Sequence, residues 1–152
     1  MNIRLLSALI AVSVTAHAQQ KQQPDAVDSR SAYCIAALTE LQHHIEAFPQ
    51  TQQRSQRVAA DIEVLRAYLE PRLPYLDQVP ISAARSRGQA DVEQAFKDTE
   101  ACWSACRPIA ENGGRPNADS GAKAAQCVRE CDKRSDAHSR AGTCDPVTWL
   151  PH

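Results

Sequence analysis

The sequence contains few of the large apolar residues that normally build a protein core. Leucine, isoleucine, valine and phenylalanine together account for only 21 of residues 19–152, or about 16%. A fraction below about 20% is typical of disordered chains when the net charge is also high, but the formal net charge here is only −1. Because these few apolar residues are also regularly spaced, the composition predicts a folded chain with a small core that needs covalent support.

No apolar run is long enough to cross a membrane, which takes about 20 residues. The N-terminal run, Leu5–Thr15, follows Arg4 and precedes the tripeptide Ala-His-Ala at 16–18. A positive charge, a short apolar run and a small-residue cleavage site in this order are typical of a secretory signal peptide; the alternative is a buried N-terminal helix. We therefore expect residues 1–18 to be a signal peptide, with no stable membrane insertion after its cleavage.

Neither sign of charge is in excess. Cleavage after residue 18 removes Arg4 and no acidic residue, so the formal net charge changes from −1 to −2. Nucleic-acid-binding proteins and polybasic membrane binders carry a strong positive excess instead. The chain is therefore not expected to have a nucleic-acid partner.

Motifs that position catalytic groups are also missing. No G-x-S-x-G element presents a nucleophile, and no glycine-rich loop is suited to hold a phosphate. His43 and His44 are adjacent, so on a helix they point about 100° apart and cannot face one metal ion. Both are expected at the surface. We therefore expect no catalytic residue, no metal site and no cofactor.

Apolar residues at alternating intervals of four and three predict three helices, and a cap at Asp119 or Ser120 with a basic last turn at 133–134 predicts a fourth. The predicted fold is therefore all-α. The predicted helices span Ser31–Phe48, Thr51–Glu70, Ser82–Arg107 and Gly121–Arg134. They are expected to form two antiparallel hairpins, because the first two are separated by only a short turn at Pro49. Residues 19–30 are polar and are predicted to be a flexible lead-in. Residues 31–152 are predicted to form one disulfide-stapled helical bundle with an irregular C-terminal tail.

Six cysteines remain after cleavage, an even number that is typical of disulfide bonds in an exported chain. Four of them form a doubled C-x-x-x-C pattern, CWSAC at 102–106 and CVREC at 127–131. A zinc site is one alternative, but such sites favour C-x-x-C spacing and need thiolates. A thioredoxin-like centre is another, but it needs C-x-x-C in a βαβ context. The spacing favours disulfide bonds and a periplasmic or secreted protein.

The register of two helices predicts which cysteines pair. Cysteines four residues apart lie on the same face of a helix, and an antiparallel partner helix then presents its own pair in reverse order. The predicted pairs are Cys102–Cys131 and Cys106–Cys127, whose residue numbers have the same sum. The third pair, Cys34–Cys144, follows by elimination and joins the first helix to the tail.

The doubled pattern resembles the twin C-x-x-x-C helical hairpin of the small mitochondrial intermembrane-space chaperones. The resemblance covers residues 102–131 only. It implies the hairpin geometry for this segment and carries no expectation of chaperone activity.

Two tryptophans complete the set of candidate residues. Trp103 is expected in the core against the neighbouring disulfide. Val147, Trp149 and Leu150 are expected to dock the tail on the core, with a role of Trp149 and Leu150 as partner anchors as the alternative. Disulfides and amphipathic helices without a catalytic motif favour a non-enzymatic exported scaffold that binds another envelope or extracellular protein. The alternative is a small-ligand or metal-ion binder of the cell envelope, with its pocket between the two hairpins.

Overall fold

The computed structural model describes residues 21–46, 51–111, 118–138 and 143–151, and the predicted signal peptide lies outside them. The described residues form four α-helices, α1 (Ala26–Glu46), α2 (Gln52–Leu69), α3 (Gln78–Glu111) and α4 (Ala118–His138). Helix α1 packs against both α2 and α3, and α3 also packs against α4. The prediction of a disulfide-stapled helical bundle is confirmed. None of the described helices is long and apolar enough to span a membrane.

The main core lies between α1, α2 and α3. Its buried aliphatic members are spaced three or four residues apart along each helix, as an amphipathic helix requires. They are Leu38, Leu41, Ile45, Val58, Ile62, Leu65 and Val92. Burying a side chain of this size stabilises the fold by about 1.5–3 kcal/mol. This packing therefore holds α1 to α2 without a disulfide bond between them.

The start of α1 differs from the prediction of a flexible lead-in at 19–30. Helix α1 begins at Ala26 rather than Ser31, because Asp25 and Asp28 form a reciprocal cap. The Asp28 N–H donates to Asp25 Oδ1 at 2.8 Å, and the Asp25 N–H donates to Asp28 Oδ2 at 3.1 Å. This is the geometry of a capping box, which satisfies two backbone donors that the first helical turn leaves without partners.

The residues before this cap are held by the connector that follows α2. The Gln22 N–H donates to the carbonyl of Tyr75, and the Asp77 N–H donates to the carbonyl of Gln22, each at 2.8 Å. Below this bridge lies a second, smaller core. Its buried members are Ala32, Leu69, Leu76, Ile81 and Ala84. The described part of the lead-in is therefore fixed to the bundle.

Helices α3 and α4 both extend beyond their predicted ends. Helix α3 has 34 residues and begins at Gln78 rather than Ser82, since the Asp77 carboxylate accepts the Val79 N–H at 3.0 Å and caps the first turn. Pro80 then occupies the first turn, where a missing N–H has no cost. Helix α3 also continues past the predicted end at Arg107. Helix α4 runs beyond 121–134 at both ends, and no proline interrupts this stretch.

Gly88 allows α1 and α3 to cross at close range. A Cβ atom added at Gly88 would overlap the backbone carbonyl oxygen of Tyr33 and would lie 3.2 Å from the backbone nitrogen of Ala37. Only glycine leaves room for this contact. The crossing joins the two hairpins, because α3 belongs to the second hairpin and α1 to the first.

Candidate functional site

Three disulfide bonds link the helices and the tail, and they are the pairs that the sequence predicts. The Cα atoms are 5.4 Å apart in Cys34–Cys144, 5.7 Å in Cys102–Cys131 and 5.8 Å in Cys106–Cys127. These distances are usual for disulfides. None of the six cysteines is free. Three disulfide bonds in one small chain indicate an oxidising compartment.

The two bonds between α3 and α4, Cys102–Cys131 and Cys106–Cys127, form what we call the disulfide ladder. Its bonds are neighbours, because the Cys106 Sγ lies 3.6 Å from the Cys131 Sγ. With Cys127, these sulfurs form a group in which all atoms lie within 4.8 Å of one another. Metal ligands can have such spacing, but metals bind the thiolate form of cysteine. The disulfide bonds occupy these sulfurs, so the oxidised ladder does not provide a thiolate site.

A groove of about 600 Å³ lies between the C-terminal end of α1 and the second half of α3. We call it the α1–α3 groove. Its lining includes three aromatic rings and several charged side chains. The aromatic and charged side chains that line it are His44, Glu93, Phe96, Lys97, Glu100, Trp103 and Arg107. A volume of this size is in the usual range for binding sites of small molecules, about 300–1,000 Å³.

Two stacked rings form one wall of the α1–α3 groove. The His44 and Phe96 rings lie 3.9 Å apart between centroids with an interplanar angle of 20°. The His44 Nε2 lies 3.3 Å from the Glu40 carboxylate. His44 is half-buried rather than at the surface, because the ring of Phe96 covers it. The prediction of two surface histidines is therefore wrong for His44, whereas His43 is exposed.

Trp103 lies at the rim of the groove and not in the core. Its side chain is 47% exposed, and its Nε1–H donates to the Asp132 Oδ1 of α4 at 3.0 Å. The inward positions on this part of α3 belong to Thr99 and Cys106. Trp103 therefore falls on the adjacent, open face. The prediction of a core tryptophan at this position is wrong.

The rim of the groove carries charges of both signs. The Lys97 Nζ donates to the Glu93 carboxylate at 2.7 Å, and this hydrogen bond and charge lower the pKa of Glu93. Glu100 and Arg107 are exposed and make no ion pair with any described residue. The groove therefore offers one unpaired acid and one unpaired base on the same helix.

No family model, no curated protein and no solved structure matches this chain. Its function must be argued from the groove, the ladder and the remaining polar clusters.

One such cluster joins the start of α1 to the connector after α2. Asp28 is only 1% exposed, and Arg72 donates to its two carboxylate oxygens at 2.6 and 3.2 Å. Burial alone raises the pKa of Asp28, but the hydrogen bonds from Arg72 and from the Asp25 backbone, with the Arg72 charge, outweigh it and lower the pKa. Because the partners of Asp28 belong to the fold itself, we interpret this cluster as structural.

The C-terminal tail docks on the main core through Trp149 and Leu150, as the sequence predicts. The expected docking of Val147 is wrong, since its side chain is 73% exposed. Trp149 and Leu150 pack against the core, and both are half-buried. The Arg30 guanidinium lies 4.4 Å from the centroid of the Trp149 ring, in the range of a cation–π contact. Arg30 also donates to the Thr143 carbonyl at 2.7 Å. These contacts assign Trp149 to the fold, which leaves Trp103 as the exposed tryptophan of the described chain.

Proposed function

We propose that this protein is an exported, non-enzymatic scaffold of the bacterial periplasm that binds a peptide segment of another envelope or extracellular protein in the α1–α3 groove. The observation that carries this proposal is the shape of the groove. Its lining extends from Glu93 to Arg107, which corresponds to about 21 Å along the axis of α3. An extended peptide of about six residues has this length.

The aromatic side chains supply anchoring surface for such a peptide. The stacked His44 and Phe96 rings form the wall, and the half-exposed Trp103 stands at the rim. Aromatic residues are enriched at protein interfaces, and tryptophan is common among the residues that dominate binding energy. We expect an apolar side chain of the peptide to lie between Phe96 and Trp103.

The two unpaired charges supply orientation. Glu100 and Arg107 are seven residues apart on α3, or about 10.5 Å along its axis. In an extended peptide this distance corresponds to about three residues. A peptide with a basic and an acidic side chain at this separation would satisfy both charges, which contributes specificity more than affinity.

The disulfide ladder supports the proposal by holding the second half of α3 in place. It connects this half to α4 through Cys102 and Cys106, on either side of Trp103. A site that is rigid before binding loses less conformational freedom when the partner binds. The signal-peptide pattern at 1–18 and the three disulfides support export, and the absence of an N-x-S/T sequon favours a bacterial origin.

The volume and aromatic wall of the same groove favour one alternative, the binding of a small apolar or aromatic ligand. The two hypotheses predict different molecules bound to the protein when it is isolated from its native envelope, a polypeptide in the first case and a small ligand in the second. Native mass spectrometry distinguishes them. A stoichiometric small-molecule adduct that is absent from a Trp103→Ala variant would favour the small ligand.

Site-specific photocrosslinking tests the leading proposal. A benzophenone amino acid at Lys97, on the rim of the groove, is expected to crosslink one defined polypeptide in the intact envelope. The same group at Val79 is the matched control, because Val79 lies on α3 and is 75% exposed but does not line the groove. Trp103→Ala should abolish the adduct. Equal adducts at both positions, or none at Lys97, would contradict the proposal.

A further inference from the structure

The two bonds of the disulfide ladder are close enough to react with each other. The Cys106 Sγ lies 3.6 Å from the Cys131 Sγ although each is bonded to a different sulfur. Reacting atoms in a near-attack arrangement are about 3–3.5 Å apart. A small movement therefore brings these inner sulfurs to reacting distance, once either of them becomes a thiolate.

Burial divides the four sulfurs of the ladder into an inner and an outer pair. Cys106 and Cys131 are each only 2% exposed. Cys102 and Cys127 are partly exposed, and both line a second groove of about 360 Å³, the ladder groove, together with Cys131, Lys123 and Glu130. An external thiol can reach the outer sulfurs from this groove, whereas Cys106 does not line the groove and Cys131, at its wall, is only 2% exposed.

We propose that the disulfide ladder is a thiol–disulfide exchange site that oxidises a dithiol, and that the inner sulfurs transfer the electron pair from one bond of the ladder to the other. As written below, the reaction is stoichiometric, with one dithiol oxidised per protein molecule, so it is compatible with a non-enzymatic scaffold. It goes beyond the proposed peptide binding and does not depend on it. The co-reactant is a dithiol that loses two electrons and two protons.

The first half of the reaction opens the ladder. A thiolate of the dithiol bonds to the Cys127 Sγ, the Cys106–Cys127 bond breaks, and its electron pair remains on the Cys106 Sγ. The Cys106 thiolate then bonds to the neighbouring Cys131 Sγ, the Cys102–Cys131 bond breaks, and its electron pair remains on the Cys102 Sγ. If the thiolate attacks the Cys102 Sγ instead, the Cys102–Cys131 bond breaks first. The Cys131 thiolate then attacks the Cys106 Sγ, and the same Cys106–Cys131 bond forms.

The second half releases the oxidised co-reactant. The remaining thiol of the dithiol attacks its own sulfur in the mixed disulfide, so the co-reactant becomes a disulfide and Cys127 leaves as a thiolate. The two protons of the dithiol end on Cys102 and Cys127. The product retains one buried disulfide, Cys106–Cys131, so α3 and α4 remain covalently joined throughout.

The position of Lys123 suits this reaction. Lys123 lines the same groove as the outer sulfurs, as does Glu130, and a cation close to a thiol lowers the pKa of the thiol and improves it as a leaving group. The third disulfide does not take part, because Cys34 and Cys144 are each 1% exposed.

Partial reduction of the oxidised mature protein tests the proposal. One equivalent of dithiothreitol is added under native conditions, the reaction is quenched with acid, and free thiols are alkylated. Chymotryptic cleavage after Trp103 separates Cys102 from Cys106, and tryptic cleavage after Arg129 separates Cys127 from Cys131. The expected product carries two alkyl groups, on Cys102 and Cys127, and contains a Cys106–Cys131 crosslink.

Three outcomes would overturn the proposal. Alkylation of Cys106 with Cys127, or of Cys102 with Cys131, would mean that one bond is reduced without transfer to the other. No alkylation would mean that the ladder is inert. If the product with the Cys106–Cys131 bond formed faster in a low concentration of urea than in its absence, the rearrangement would occur in the unfolded protein and not in the folded ladder. In a Cys102→Ser/Cys131→Ser variant, whose helix content is checked by circular dichroism, the label should instead appear on Cys106 and Cys127.

Discussion

Asp28 shows how a single buried carboxylate ties two segments of the bundle together. It caps α1 and accepts hydrogen bonds from Arg72, which lies 44 residues further along the chain. Its pKa is lowered in the folded protein, so the folded state favours the ionised carboxylate more than the unfolded state does. This contribution to stability is fully present above the unfolded pKa of about 3.9 and is lost as the pH falls through the folded value.

An Asp28→Asn variant is therefore expected to be less stable at pH 7, by about 1–3 kcal/mol, because it removes charged hydrogen bonds to a buried group. The deficit should shrink as the pH falls below about 4, because the carboxylate of the unfolded state takes up a proton there while that of the folded state stays ionised until the pH reaches its lowered pKa. Urea unfolding of both proteins at pH 7 and at pH 3 checks this expectation. Asp98→Asn is the surface control, since Asp98 is exposed and accepts only from Gln94. A deficit that is equal at both pH values would contradict the assigned role of the charge.

At the level of single residues, the sequence predicts the cysteine pairs but not the residues that line the α1–α3 groove. The pairs follow from helical register, which depends only on spacing. His44 and Trp103 were misassigned because their burial depends on the angle at which α1 crosses α3, and the spacing of residues within one helix does not determine that angle. The Asp25–Asp28 cap has the D-x-x-D spacing of a capping box, and this signal could have located the start of α1.

Gly88 fixes the distance between two elements, α1 and α3. In an ordinary exposed helix, replacing glycine by alanine stabilises by about 1 kcal/mol. At Gly88 the added Cβ overlaps the backbone of Tyr33, so the helices must separate. Gly88→Ala is expected to destabilise the protein by at least about 1–3 kcal/mol.

Gly121 in α4 provides the matched control, because its added Cβ would have no atom within 4 Å apart from its chain neighbours and the backbone of its own helix. Gly121→Ala is expected to be neutral or to stabilise by up to about 1 kcal/mol. Chemical denaturation of the two variants beside wild type gives the comparison. Stabilisation by both substitutions would mean that α1 and α3 do not need glycine at their crossing.

The alternating spacing of apolar residues is sufficient to predict α1, α2 and α3, because each of them carries buried residues at this spacing. Helix α4 is predicted from its cap and its basic last turn instead. The spacing does not predict the helix ends. The start of α3 depends on Asp77, and the start of α1 depends on Asp25, and both positions were assigned to non-helical segments. The spacing also does not predict that α1 packs against α3, since Gly88, which allows their close crossing, is not part of an apolar stripe.

The whole molecule combines a core stabilised by packing with a hairpin stabilised by disulfides. Helices α1 and α2 share buried aliphatic side chains. Among residues 121–133, the part of α4 whose burial the structure describes, the one buried residue is Cys131, and the large apolar Val128 is exposed. Most of the stability of a helix in a protein comes from tertiary packing and not from its own propensity. The stability of α4 therefore depends on the ladder more than that of α1 does.

A variant with Cys102, Cys106, Cys127 and Cys131 all replaced by serine is expected to lose hydrogen-exchange protection first at 121–134 and only later at 34–45. Native-state hydrogen exchange in increasing urea measures the order. Simultaneous loss in both regions would show that the bundle unfolds as one cooperative unit. Full protection of 121–134 in the variant would show that the ladder does not hold α4.

The three disulfides are nested: Cys34–Cys144 encloses Cys102–Cys131, which encloses Cys106–Cys127. A chain that is synthesised from its N-terminus therefore presents Cys34 first and its partner last, with a sequence separation of 110 residues. At about 5–20 residues per second, this delay is on the order of 5–20 s. During that interval all four cysteines of the ladder emerge. Cys34 cannot form its native disulfide until Cys144, the last cysteine of the chain, has been synthesised.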